Sequence, residues 1–117
     1  MPAANHKLTK EDHFINRVRD LIEMDLEDAE LNVNKLSEKI NLSSTQLYRK
    51  IKAVTGQSSV DFIKDYRLVR SATLLKSTDH SVKEVCFKTG FKSPSYFVKC
   101  FKLKYGVTPR EYSSNGH

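Results

Sequence analysis

Tryptophan is absent from these 117 residues, and cysteine occurs only twice. Cys86 and Cys100 have no CxxC spacing, and in a reducing compartment they are expected to be packing thiols, not a disulfide. The four histidines (His6, His13, His80 and His117) are scattered and lack the spacing of a metal-ligand set, so neither metal nor cofactor is expected. No apolar run approaches the roughly 18 residues of a membrane span, and no signal-peptide pattern opens the chain. A soluble, cytoplasmic protein is therefore expected. Hydrophobic residues make up 38% and charged residues 29%, which allows a modest core and leaves little for a small-molecule cavity. Catalytic groupings are missing too: there is no nucleophile–base pairing, no glycine-rich phosphate loop and no carboxylate pair on a basic face. An enzyme is the class least expected. Strict apolar–polar alternation is nowhere long enough for a strand, so the fold class is all-α.

Acidic residues are scarce in one part of the chain only. The net charge of +6 divides into six bases against nine acids over residues 1–40, or −3, and fourteen against five over residues 41–117, or +9. A basic block of this kind attracts phosphates and supplies affinity that is independent of sequence.

The basic block also says one thing twice. Ser43, Leu47, Arg49, Ile51, Lys52, Gly56, Ser58, Asp61 and Phe62 recur fifty residues later as Ser93, Phe97, Lys99, Phe101, Lys102, Gly106, Thr108, Glu111 and Tyr112. Both copies run from capping hydroxyl through anchors and cations to glycine, hydroxyl, acid and aromatic. Two units are too few for a solenoid, which needs about three or more. They suit one polypeptide reading two neighbouring stretches of DNA.

Helix signals place the two copies. Thr9 and Asp12 can cap a first helix running to about Asp28, with Phe14, Val18, Leu21 and Ile22 on its buried stripe. Asn32 is a candidate N-cap for a short second helix, with Leu36 and Ile40 inward and Asn41 at a turn position of positive φ. Ser43 and Gln46 form a capping box for a third helix to about Val54, stopped by Gly56. That is one helix-turn-helix. Ser58 opens a longer helix to about Lys76, spanning about 30 Å, whose wide apolar coverage suits packing against a lobe at each end. Ser81 and Glu84 box a short helix with Val82, Val85 and Phe87 as its contacts, and Gly90 stands where Asn41 stood. The second copy carries one extra turn residue there. Ser93 caps the next helix with Pro94 at its first position, and Thr108 to Glu111 opens a closing helix. The expected organisation is a flexible lead-in over 1–8, a first helix-turn-helix lobe over 9–56, a linker helix over 57–77, a second lobe over 78–112 and a tail over 113–117.

A recognition helix needs apolar anchorage on one side and polar residues toward the groove. In the first copy Leu47, Ile51 and Val54 are expected inside, leaving Ser44, Thr45, Tyr48, Arg49 and Lys52 outside. In the second, Phe97, Phe101 and Tyr105 are inside, leaving Ser95, Tyr96, Lys99 and Lys102. Arg49 can pair bidentately with a guanine edge, Lys99 can reach the same edge as a point charge, and Thr45 and Tyr96 offer apolar contact to thymine. The hydroxyls of Ser43, Ser44 and Ser93 with Lys52 and Lys102 suit phosphates.

The stretch from Glu84 through Gly90-Phe91-Lys92-Ser93-Pro94-Ser95-Tyr96-Phe97 and Phe101-Lys102 to Tyr105-Gly106-Val107-Thr108-Pro109-Arg110-Glu111-Tyr112 resembles the signature of AraC-type (AraC/XylS) transcriptional regulators. Upstream, Leu42-Ser43, Leu47-Tyr48-Arg49-Lys50 and Gly56, with Arg67-Leu68, Ala72 and Leu74-Leu75, are similar to that family's first unit and linker helix. The resemblance covers roughly residues 12–112. It implies seven helices, two helix-turn-helix units joined by the long helix, and base contacts from Thr45, Tyr48, Arg49, Ser95, Tyr96 and Lys99. Ser113 departs from it, since many relatives carry a basic residue there. The acidic opening helix followed by Leu47-Tyr48-Arg49-Lys50-Ile51-Lys52-Ala53-Val54-Thr55-Gly56 also resembles the output domains that end hybrid two-component sensors of Bacteroidetes. That would make receiver or sensor domains of a parent protein, and RNA polymerase, partners beside double-stranded DNA; the parent would then be free to be membrane-anchored. The alternatives are a stand-alone regulator and a protein-interaction module docking through the acidic first helix.

Overall fold

The computed structural model describes residues 7–115, so most of the expected lead-in lies outside the described residues. Among them are seven α-helices and no strand. Helix α1 covers Lys10–Met24, α2 Val33–Lys39, α3 Ser44–Thr55, α4 Ser59–Ser77, α5 Val82–Lys88, α6 Pro94–Tyr105 and α7 Pro109–Asn115.

The starts follow from the caps. Complete capping boxes join Thr9 to Asp12, Ser43 to Gln46 and Ser81 to Glu84. Asn32, Ser58 and Ser93 cap α2, α4 and α6 through one side-chain oxygen each. At α7 the Glu111 carboxylate accepts from the Thr108 amide at 2.9 Å, while the Glu111 amide donates to the Thr108 hydroxyl at 3.1 Å. Each arrangement satisfies backbone donors that no helical carbonyl can reach.

Helices α2 and α3 form the first helix-turn-helix, α5 and α6 the second, and α4 joins the two lobes. Both turns use one device. Asn41, at φ 63°, ends α2, and the Leu42 amide donates back to the Ser37 carbonyl at 2.9 Å. Gly90, at φ 83°, ends α5, and the Phe91 amide donates to the Cys86 carbonyl at 3.0 Å. These are Schellman closures, in which a left-handed residue lets the chain reverse and recovers a helix-end carbonyl. The extra residue of the second turn is Lys92. Its ammonium lies 3.1 Å from Glu30, in the turn that precedes α2.

Two hydrophobic cores form, one in each lobe. Ile15, Val18, Ile22, Leu26, Leu31, Leu36, Leu47, Ile51, Phe62 and Ile63 make the first. Leu68, Ala72, Leu75, Val85, Cys86, Phe91, Phe97, Cys100 and Phe101 make the second. Helix α4 contributes to both, which explains its broad apolar coverage. In the second core Phe97 and Phe101 pack edge to face at 5.8 Å, and Phe101 meets Tyr112 of α7 at 5.3 Å. Cys86 and Cys100 are buried free thiols within it.

Five expectations need correction. Helix α1 stops at Met24, not near Asp28, because the chain turns there to give the Leu26 and Asp28 carbonyls to Arg67 and the Leu26 side chain to the first core. Its buried stripe is Ile15, Val18 and Ile22, with Phe14 and Leu21 only half-buried beside it. Val54 stands at the surface, 36% exposed, because the α3 anchors are already supplied by Leu47 and Ile51. Phe87 is 43% exposed, its expected place in the core taken by the smaller Cys86. Helix α7 runs to Asn115, past the end expected for the second lobe.

Candidate nucleic-acid interface

The anchors divide α3 and α6 into an inner and an outer face. Leu47 and Ile51 are fully buried on α3, as are Phe97 and Phe101 on α6, with Tyr105 half-buried one turn later. Fixing one face of a helix on its core fixes where the other face points. Thr45, Tyr48, Arg49 and Lys52 stand exposed on α3, and Ser95, Tyr96, Lys99 and Lys102 on α6.

Several cations away from these faces are engaged within the protein. Lys39 pairs with Asp25 at 2.9 Å, Arg70 with Glu23 at 2.8 Å and Lys104 with Asp65 at 2.6 Å, while Lys50 lies over the Phe14 ring at 5.4 Å. Among the described residues, none of Arg49, Lys52, Lys99 and Lys102 forms an ion pair. Exposed cations without ion pairs on two matched faces, of which Lys102 also acts at a distance on Glu111, leave positive charge available to an external polyanion.

The hydroxyls have mixed assignments. Ser44 donates to Asn34 Oδ1 at 2.8 Å and lies 3.4 Å from the Ser37 hydroxyl, which ties the start of α3 to α2. Ser43 accepts the Gln46 amide at 3.1 Å, leaving its own proton to donate. Ser93 accepts the Tyr96 amide at 3.3 Å and shares a 2.9 Å contact with the Ser95 hydroxyl. Tyr48 is 45% and Tyr96 52% exposed, although each carries a large ring. A hydrogen bond with the Cys100 thiol pushes the Tyr96 hydroxyl pKa up.

One open groove of about 510 Å³ lies between the lobes, beside the start of α6. Asn34, which holds the first turn of α3 through Ser44, lines it, and so does Tyr96 in the first turn of α6. Lys64, Arg67 and Lys92 line it as well, and no acidic residue does. These three cations were not singled out as site residues from sequence. Lys92 carried one signal, being the extra residue of the second turn, while Arg67 stood out only as part of the linker-helix motif.

Among the described residues no helix is long and apolar enough to cross a membrane, and no group of three or more histidine, cysteine, aspartate or glutamate residues is placed to hold a metal.

A helix-turn-helix domain family matches residues 36–115. The transcriptional regulator MtrA of Neisseria gonorrhoeae is 38% identical over 104 residues, which is 89% of this chain and 33% of MtrA. A histidine kinase of Formosa agariphila is 32% identical over 104 residues, 89% of this chain and 8% of the kinase. The chain thus spans a third or less of these relatives. Among solved structures, the C-terminal domain of the two-component response regulator yesN from Fusobacterium nucleatum superposes with a TM-score of 0.77 at 29% identity, covering 86% of this chain and 98% of that one. The family match spans α3 through α7 with the Schellman turns and capped reading helices described above, and the chain accordingly belongs to the AraC-type helix-turn-helix family of DNA-binding transcription regulators.

Proposed function

We propose that this chain binds one asymmetric DNA site in a sequence-specific manner, with α3 and α6 in two successive major grooves, and that it is the output domain of a larger two-component sensor or regulator. The carrying observation is the pair of matched outer faces, each with an unpaired cation one turn from a solvent-exposed tyrosine or serine. Arg49, with Thr45 and Tyr48, reads base edges from α3, and Lys99, with Ser95 and Tyr96, reads them from α6. Lys52, Lys102 and the capping hydroxyls of Ser43 and Ser93 take phosphates. Ser44 is reassigned: its hydroxyl serves the α2–α3 contact, so any phosphate it meets is held by its backbone amide at the helix start.

Helix α4 supports the two-groove reading. Its nineteen residues span about 28 Å, close to the roughly 34 Å between successive major grooves on one face of B-DNA. The likeness to a kinase and to a response-regulator C-terminal domain supports the output role, in which receiver or sensor domains of the parent and RNA polymerase are the protein partners. The cytoplasm is the compartment where such a domain meets DNA.

Affinity for a selected duplex, measured from low to physiological salt, tests the reading. Each neutralised phosphate adds about 0.9 to the logarithmic salt slope, so a steep slope and a footprint with two protected segments are expected. A flat response overturns it.

A further inference from the structure

The two cores share no buried side chain, and their boundary on α4 falls between Ile63 and Leu68. Arg67 stands in that gap, 5% exposed. Its Nη1 donates to the Leu26 carbonyl at 2.6 Å and to the Thr89 carbonyl at 2.7 Å, and its Nη2 to the Asp28 carbonyl at 3.1 Å. Leu26 and Asp28 belong to the turn that leads into the first helix-turn-helix. Thr89 caps α5 inside the second. One side chain on the linker therefore holds the roots of both reading units.

Buried arginines ordinarily face carboxylates. Here the hydrogen-bond acceptors are three main-chain carbonyls, with the Asp28 carboxylate acting on the charge only from a distance, so the bonds record where two stretches of backbone stand. A guanidinium is a planar fork with fixed donor directions, and it specifies angle as well as distance. The ion pair between the lobes is weaker. Lys92 and Glu30 are 67% and 68% exposed, and an ion pair of that kind contributes little in water.

We propose that Arg67 is a positioning residue that fixes the angle between the lobes and thereby sets which spacing of two DNA segments α3 and α6 can engage together. The proposal rests on the two-groove reading. Two linked sites reinforce one another only as far as their geometry lets both engage, so a rigid joint concentrates the gain on one spacing and a loose joint spreads it.

Arg67→Met keeps much of the stem and removes every donor; Arg67→Lys keeps the charge and loses the fork. Binding is measured on duplexes whose two segments are set at the preferred spacing or displaced by two base pairs. The penalty for displacement is expected to shrink about tenfold in Arg67→Met and by less in Arg67→Lys, with affinity for a duplex carrying the α3 segment alone unchanged within about twofold. Residual dipolar couplings of the free protein give a second readout. One alignment tensor should fit both lobes of the wild-type protein, and two of unequal magnitude should be needed in Arg67→Met. A spacing preference and a single tensor that survive Arg67→Met overturn the role of Arg67. Unfolding of both variants overturns it too, because a residue that only orients two intact lobes is dispensable to their folding. Indifference of the wild-type protein to spacing overturns the two-groove reading, and the spacing role falls with it.

Discussion

Arg67 occupies the space that any side chain at position 90 would need: a Cβ on Gly90 would stand 1.3 Å from Arg67 Nη1 and 2.4 Å from the Leu26 carbonyl oxygen. Glycine at this turn thus answers two demands, a φ of +83° and a guanidinium pressed against its α-carbon. Gly106 ends α6 at nearly the same φ, +81°, with nothing within 4 Å of the corresponding point.

The pair predicts unequal costs for one substitution. Gly106→Ala should destabilise by about 1–2 kcal/mol, the left-handed backbone penalty alone. Gly90→Ala must also displace the Arg67 guanidinium and shift the Leu26 carbonyl, and should lose about 1 kcal/mol or more beyond that penalty. Urea denaturation of both variants checks this, and equal losses would show that Arg67 and the Leu26 carbonyl both give way freely.

Base readers and phosphate holders should fail differently. Arg49→Ala is expected to lose on the order of 1–3 kcal/mol of binding and to relax preference at one base position. Lys102→Ala should weaken all sequences alike and lower the salt slope by about one. Binding to a randomised duplex library separates the two; an even loss in Arg49→Ala would remove it from base readout.

Rotating one DNA segment tests simultaneous engagement. Adding five base pairs between the segments turns the second groove about half a helical turn, onto the far face of the duplex. Affinity in a gel-shift titration should fall to that of one segment. Unchanged affinity would mean that a single lobe reads the site.

The joint between α1 and α4 predicts a pH response. The Tyr66 hydroxyl donates to Glu23 at 2.5 Å, and Arg70 pairs with the same carboxylate at 2.8 Å. Burial pushes the Glu23 carboxyl up, but the bonds from Tyr66 and Arg70 outweigh it, and the pKa ends below the usual value. Burial first, and Glu23 second, push Tyr66 from 10.0 to about 12. The depressed acid contributes stability above its unfolded pKa of about 4.3, which is lost as pH falls through the folded value. The raised phenol contributes stability that is complete below 10.0 and lost as pH climbs through about 12. Stability measured at stepped pH should therefore decline less steeply in acid for Glu23→Gln and less steeply in alkali for Tyr66→Phe. Profiles matching the wild-type protein would show that the cluster adds nothing.

Helix starts were legible because capping is local: Ser43 with Gln46 or Thr108 with Glu111 announces itself within four residues. The outer faces followed from the anchors, and the exposed positions of Thr45, Arg49, Tyr96 and Lys99 match that reading. The end of α1 was not legible. Leu26 and Glu27 favour a helix, and no glycine or proline stands there; the helix stops because the Leu26 and Asp28 carbonyls are wanted by Arg67, some forty residues on. Arg67 itself was seen only as part of a motif, since a cation on an inward stripe has no meaning until its acceptors arrive from two lobes. Phe87 and Cys86 show the same limit in miniature: both are apolar neighbours on a short helix, and only packing decides which one is buried.

Because the cores share α4 and no buried side chain, damage to one has a short reach. Substitutions without common partners add their effects nearly independently. Loosening Ile51 under α3 should thus leave the aromatic stack of Phe97, Phe101 and Tyr112 under α6 in place. The molecule is in this sense a pair of interchangeable tools on one handle. Either tip can be reground to a new DNA word without retempering the other, provided the rivet at Arg67 is left alone.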